Sequence, residues 1–366
     1  MSGPLTVSVD GRPLDIEELR AQGIGRYAHG LLGELPRVAE QRGGEIVVRR
    51  RRGGAGSPFE VAGGEAERHP ARAGRSGRRP SLHHSLSLYG TPMVSRVPVV
   101  VTMHDVAPLQ WPDEYLRTGL RHRVLYRAVR RAAAIVCPSD AARDDLLGHL
   151  EVAPQRVHVV PEGVGDHFRP SNSGTGIERP YLLYVGGMVQ RDARKDVEGL
   201  IDAFAEWSKA EVRPETLVLA GAGGPAADGL AARARRAGAR THFTGFVDEH
   251  DLPALYSGAS CFVTASRYEG FGLPALEAIA CGTPVAAYDA GAIPTTAGPG
   301  ALLVRPGDGA ALMRAAGRIC DDTELARRLG EEGRRHAAGF SWRRTAELTW
   351  NVYAACLSPS VRTSLS

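Results

Sequence analysis

Short apolar runs alternate with longer amphipathic stretches along the chain. Residues 5–9 (LTVSV) read as a buried strand, and Gly23-Ile-Gly-Arg-Tyr27 opens an amphipathic helix running to about Glu40. Residues 98–103 (PVVVTM) form an unbroken apolar run that stops at His104 and Asp105, as suits a parallel strand covered on both faces. Helical periodicity follows from Tyr115 to Ala132, then a strand over 134–137, a helix capped at Ser139-Asp140, and a strand over 157–160.

Residues 166–180 (DHFRPSNSGTGIERP) are rich in Pro, Gly, Ser and Asn with little that is apolar, which marks a linker. The alternation then resumes. Strands are expected at 181–185, 216–220, 241–243, 261–265 and 284–288, with helices at 195–209, 226–237, 251–258 and 274–281 between them. Strands alternating with helices specify an α/β fold with a doubly wound parallel sheet. Two such Rossmann-like domains facing each other across a cleft are expected. The first spans 1–165 and is completed by 350–366; the second spans 181–349, and ligands are expected beyond the carboxyl ends of the strands.

A length of 366 residues, 43% of them hydrophobic and 23% charged, fits a globular protein of two domains. No apolar run is long enough to cross a membrane and the first residues lack the character of a secretion signal, so a cytoplasmic protein is expected. Five scattered cysteines, without a C-x-x-C pair, point to reduced thiols and no structural metal. The net charge of +4 comes largely from Arg49–Arg52 and Arg68–Arg79, a stretch of Gly, Ala, Arg and Pro that reads as a solvated loop. It lacks aromatic residues for stacking on bases, which argues against a nucleic-acid partner. Attraction of an anionic acceptor or a lipid headgroup, with peripheral membrane association, stays open.

The richest segment is 266–278 (SRYEGFGLPALEA). Gly270 and Gly272 let the backbone approach a ligand, Pro274 suits a first helical turn, and the N–H groups of Phe271, Gly272 and Leu273 at the helix start suit a phosphate or sugar oxygen. Glu269 precedes that anion site and Glu277 lies about one turn into the helix. Carboxylates repel phosphate, so they suit the neutral hydroxyls of sugar and ribose instead.

This pair of glutamates, with seven residues between them including G-F-G-L-P, resembles the signature of the family 4 retaining glycosyltransferases of the B-type two-domain fold. The resemblance implies a nucleotide-sugar donor and a hydroxyl acceptor, with Glu269 on the transferred sugar and Glu277 on the ribose. It covers nearly the whole chain. Val185-Gly186-Gly187 and Arg194-Lys195 resemble the glycine turn and basic pair that clamp the diphosphate; residues 189–193 look inserted and Gly187 stands where many members carry arginine, so Arg191 and Arg194 both remain candidates beside Lys195. In the first domain Gly23-Ile-Gly25 resembles the glycine loop facing the phosphates, and His104-Asp105 the pair beside the acceptor. Tyr27 falls among the implied acceptor residues, and His84 matches a family position less closely. Val247, in Gly245-Phe-Val-Asp248, falls at the turn that meets the nucleobase, and Phe340-Ser-Trp342 resembles the start of the closing helices.

Two departures stand out. Glu162 precedes Gly163 where the family often has Asn, and Thr295 stands where a glutamate commonly follows the proline. No D-x-D pair is present to hold a metal on a diphosphate, so metal-independent transfer without a cofactor is expected, the cations and helix N–H groups taking the metal's place. The resemblance implies retention at the anomeric carbon, with GDP-mannose or a UDP-hexose as donor and a glycan, lipid-linked or small-molecule acceptor. A glycan phosphorylase would need a pyridoxal-phosphate lysine, for which only Lys195 and Lys209 are available in the second domain; an NAD-dependent oxidoreductase lacks its glycine fingerprint after the first strand; a non-catalytic sugar-nucleotide-binding protein of the same fold remains the third alternative.

Overall fold

The computed structural model describes residues 5–15, 23–49, 79–112 and 120–358, the side chains of 120–123 excepted. Most of the Arg/Gly-rich stretch, 50–78, and the start of the helix expected from Tyr115 lie outside the described residues. The chain divides into two compact units: Met1–Gly163 with Trp342–Ser366, and Val164–Ser341.

In the first unit β1 (Thr6–Asp10), β2 (Glu45–Arg49), β3 (Leu82–Ser85), β4 (Val99–Thr102), β5 (Ala134–Cys137) and β6 (Val157–Val159) form a parallel sheet in the order β2-β1-β3-β4-β5-β6. Because side chains alternate across a strand, Val7, Val9, Leu82, Val100 and Val136 share a core with the helices Gly23–Gln41 and Trp342–Leu357. Val101, Ile135 and Cys137 face the other way, into a core with Val129 and Leu146. The helix Gly23–Gln41 buries Tyr27, Leu31, Leu35 and Val38, one stripe at helical spacing. A Cβ at Gly30 would overlap the indole of Trp342, so a glycine is needed where this helix meets the last one. Ser139 caps the helix Asp140–His149, its hydroxyl accepting from Ala142 N–H.

The structure departs from the pattern reading at several places: β2 and β3, and a further strand over Ala301–Val304, lie where no strand is expected. Arg49, read as the start of the basic loop, instead closes β2, its carbonyl accepting from Gly11 N–H at 2.8 Å. The chain returns to the first unit at Trp342, not near residue 350, because Ala346, Trp350, Tyr353 and Cys356 of one continuous helix are buried in that core.

The second unit carries β7 (Tyr181–Val185), β8 (Thr216–Ala220), β9 (Thr241–Gly245), β10 (Cys261–Thr264), β11 (Val285–Tyr288) and β12 (Ala301–Val304), all parallel, in the order β12-β11-β10-β7-β8-β9. Strand order reverses between β7 and β10, which defines the switch point where doubly wound sheets bind ligands. The helices Val197–Ala210, Pro225–Ala237 and Gly309–Asp321 contribute to a core around Phe204, Leu217, Leu219 and Val263. Phe168, in the stretch read as a linker, is buried and packs edge-on against Tyr256, so that stretch is anchored to this unit.

Candidate active site

The candidate residues of the second unit gather at this switch point. β7 runs into Gly186 and Gly187, and β10 into the segment carrying Ser266, Glu269 and Gly272. Gly186 N–H donates to Ala220 O and Met188 N–H to Ala222 O, both at 2.9 Å, which ties the glycine turn to the end of β8. Gly221, at φ +148°, is a second required glycine, since a Cβ there would overlap the Gly186 carbonyl. Gly187 is exposed, with open space where a side chain would start.

The loop after the glycine turn is stitched to the loop after β10. Arg267 N–H donates to Arg194 O at 2.8 Å and its guanidinium to Asp196 Oδ2, while Lys195 Nζ lies 2.5 Å from Glu269 Oε1. Asp196 holds a left-handed backbone, φ +46°, and caps the helix Val197–Ala210 through Gly199 N–H. Arg194 Nη1 stands 3.7 Å from Glu269 Oε2, and Nη2 donates to Asp192 at 3.1 Å. Burial alone would raise the Glu269 pKa, but the charges of Lys195 and Arg194, with hydrogen bonds from Lys195 and Ser266, hold it below the ordinary glutamate value. Glu269 is therefore an ionised carboxylate in a mostly enclosed site.

Arg191 sits elsewhere. It forms a two-pronged pair with Glu198 and its side chain is 73% exposed, against 15% for Arg194. Of the two candidate arginines, Arg194 stands beside Lys195 and Glu269.

Glu269, Gly270, Phe271, Gly272 and Leu273 lead into the helix Leu273–Ala280, whose N-cap Gly272 needs φ +91°. Thr296 Oγ1 donates to Phe271 O at 2.6 Å and Ala292 N–H to Glu269 O at 2.9 Å, so the segment after β11 supports this loop from behind. Glu277 is 2% exposed and accepts from Tyr256 OH at 2.9 Å. Tyr256 carries no local sequence signal, and the supporting segment carries one only in Thr295, where the family commonly has a glutamate. Val247 follows β9, half-buried beside the exposed Phe246.

In the first unit His104 follows β4. Its Nδ1 lies 3.1 Å from Glu162 Oε1 and its Nε2 3.0 Å from Leu86 O, so both ring nitrogens already have protein partners. Asp105 caps the next turn, accepting from Ala107 N–H at 3.0 Å. Tyr27 is 1% exposed; its hydroxyl meets Thr102 Oγ1 at 3.1 Å and its ring meets the His104 ring edge-on with centroids 4.7 Å apart. Tyr27 is thus a support for His104 and not a surface for an acceptor. His84 is fully enclosed between Tyr353 OH, at 2.6 Å, and Thr102 Oγ1, at 2.9 Å, and burial pushes its pKa down to about 3. It is a neutral structural histidine. Gly25 is buried in the first turn of the helix Gly23–Gln41.

Paired parallel-sheet units with a charged cluster at the switch point define the B-type two-domain glycosyltransferase fold. Residues 170–336 match the model of the glycosyl transferases group 1 and residues 21–167 that of Glycosyltransferase Family 4. The chain is 31% identical over 303 residues to alpha-maltose-1-phosphate synthase of Mycolicibacterium smegmatis, covering 74% of this chain and 75% of that one. It is 27% identical over 286 residues to O-antigen chain mannosyltransferase B of Escherichia coli, covering 74% of each. A solved chain of Anabaena HepE, in complex with UDP and glucose, aligns with 96% of this chain and 100% of its own at a TM-score of 0.71 and 19% identity. The chain belongs to the two-domain glycosyltransferases of the family 4 type. It is a transferase, and among the described residues no helix is long and apolar enough to cross a membrane.

Proposed function

We propose that the chain transfers a hexosyl group from a nucleotide-diphosphate sugar to a hydroxyl of a glycan, lipid-linked or small-molecule acceptor, with retention and without a metal ion. The observation that carries this reading is the Lys195–Glu269–Arg194 cluster at the switch point of the second sheet. Two cations beside a glycine turn suit a diphosphate whose charge grows as the glycosidic bond breaks. Lys195 and Arg194 neutralise that charge. Gly187 and the N–H groups of Gly270, Phe271, Gly272 and Leu273 approach the phosphates and sugar oxygens, and Val247 meets the base. Glu269, an acceptor-only carboxylate, binds sugar hydroxyls, and Glu277, held by Tyr256, binds the ribose.

By the family resemblance His104 and Asp105 are assigned to the acceptor and Gly25 to the donor. The departing phosphate takes the proton of the attacking hydroxyl on the face from which it leaves. The mannosyltransferase among the relatives, and UDP with glucose in the Anabaena structure, support GDP-mannose or a UDP-hexose as donor.

Thermal unfolding with UDP, GDP, dTDP and ADP, each with and without its sugar, tests the donor site. A ligand at about 100 times its Kd adds about 2.7 kcal/mol. A shift with one base, lost in Glu277→Ala, together with turnover of the matching sugar nucleotide to an α-linked product, fits the reading. An inverted product, or a shift that survives Glu277→Ala, rejects the mechanism or the ribose assignment respectively.

A further inference from the structure

The loop that ends β4 and the segment that follows β6 meet at one buried contact, His104 with Glu162. The partners of the imidazole fix its protonation. Leu86 O can only accept a hydrogen bond, so Nε2 facing it at 3.0 Å carries a proton. Glu162 Oε1 faces Nδ1 at 3.1 Å, and its side chain is 5% exposed, too enclosed for water to take over its charge. A carboxylate there is satisfied when Nδ1 carries a proton as well. The ring is fixed besides by the edge-on Tyr27 from the helix Gly23–Gln41. Among the described residues, the other titratable groups that act on the ring are Asp105 on the same loop, which favours the charged ring, and His84 of β3, which is neutral. Burial alone would lower the His104 pKa, but the hydrogen bond and charge of Glu162, the Leu86 carbonyl and Asp105 together raise it above the ordinary histidine value.

We infer that Glu162 is a positioning residue that keeps His104 as a doubly protonated, tethered imidazolium, so that His104 serves transfer as a fixed positive charge and not as a proton acceptor. An asparagine at position 162 could orient the ring but could not hold the second proton by charge. The proton of the attacking hydroxyl must then leave by another route, which agrees with its passage to the departing phosphate. That catalytic half of the inference rests on the transferase reading proposed above; the protonation half does not.

Nitrogen-15 imidazole spectra of the full chain, with His104→Gln identifying the signal, test the protonation directly. Wild type is expected to show both His104 nitrogens protonated at neutral pH, and Glu162→Gln to lower its titration midpoint by about one unit or more, a tenfold change in proton affinity. Glu162→Asp is expected to restore part of that shift. In the transfer assay, the alkaline limb of the pH profile is expected to move down in Glu162→Gln together with the midpoint. A neutral His104 in wild type at neutral pH, or a midpoint unchanged by Glu162→Gln, overturns the protonated pair, and the wild-type spectrum decides even if the variants fail to fold. A shifted midpoint with an unmoved activity limb overturns the catalytic half. Absence of any sugar transfer counts against the proposed function and leaves the spectroscopic arm to decide the pair.

Discussion

Lys195 Nζ lies 2.5 Å from Glu269 Oε1, a contact between residues 74 positions apart that joins the loops leaving two adjacent strands of the second sheet. Each side chain balances the charge of the other. If the proposed donor site is right, a bound diphosphate sugar changes that balance, the ammonium gaining an anion and the carboxylate hydroxyl donors. Lys195→Ala is expected to lower kcat by about 100-fold or more, the scale found when an oriented transition-state cation or donor is removed. Glu269→Gln keeps the shape and is expected to lower kcat by a similar factor while leaving affinity for the bare nucleotide diphosphate within about threefold. Steady-state kinetics and titration with the nucleotide alone separate the two. Full activity in Lys195→Ala would remove the pair from the reaction.

The two arginines of the same loop are expected to behave differently. Arg194 faces Glu269, whereas Arg191 is exposed and paired with Glu198. Arg194→Ala should reduce kcat/KM by about 10- to 100-fold, corresponding to about 1.4–2.8 kcal/mol of transition-state binding. Arg191→Ala should change it by less than about threefold, as expected for an exposed ion pair of small net value. The reverse ranking would reassign the diphosphate clamp.

These contrasts mark what sequence pattern could reach. β5, β7 and β8 were legible because a strand covered on both faces must be an apolar run, as in residues 134–137, 181–185 and 216–220. β3 was not, because it reads Leu-His-His-Ser; its buried His84 is satisfied by Tyr353, 269 residues away. β2 was hidden by its place at the sheet edge, half-buried and running into arginines. The gathering of Lys195 and Glu269 followed from their positions after β7 and β10, which the topology makes neighbours. The partner of Glu277, the support behind Glu269 and the pairing of Glu162 with His104 are tertiary contacts that no local spacing encodes. Glu162 was visible only as a residue out of keeping with its family.

Tyr256 tests one of those contacts. Its hydroxyl donates to Glu277 Oε2 at 2.9 Å inside the second unit. Tyr256→Phe removes the donor and keeps the ring packing against Phe262 and Phe168. A lost hydrogen bond to a buried carboxylate costs about 1.5–3 kcal/mol. The expected result is a lower denaturation midpoint with an unchanged denaturant slope, and a raised KM for the donor as Glu277 loses its orientation. A raised KM without loss of stability would mean that Tyr256 contacts the donor itself.

Gly291 tests the support behind Glu269. It has φ +56°, and a Cβ there would overlap the Glu269 carbonyl and crowd its N–H. Gly291→Ala therefore meets both a left-handed backbone and a clash with backbone that cannot rotate away, and a cost of about 2–4 kcal/mol is expected. Because the displaced atoms belong to Glu269, kcat should fall by about tenfold or more even in the fraction that stays folded. Active-site titration with the nucleotide diphosphate separates folded from unfolded protein. Normal kcat per folded molecule would show that the Glu269 loop tolerates the displacement.

The charged cluster also gives stability a dependence on pH whose sign follows from Glu269. Its pKa in the folded chain lies below the ordinary glutamate value, so folding favours the ionised form and the unfolded chain binds protons more readily. The stabilisation is therefore complete above the ordinary carboxylate range and is lost as pH falls through the depressed folded value. Glu269→Gln has no proton to exchange there, so its unfolding temperature should fall less steeply with acidification than that of wild type. Lys195→Met should be destabilised relative to wild type at neutral pH, because Glu269 then keeps its charge in an enclosed site after losing its partner at 2.5 Å, with Arg194 3.7 Å away. Scanning calorimetry of the three proteins across the acid range checks both signs. Parallel curves for wild type and Glu269→Gln would mean that the pair exchanges its partner for water at little cost and that its value lies in the bound state alone.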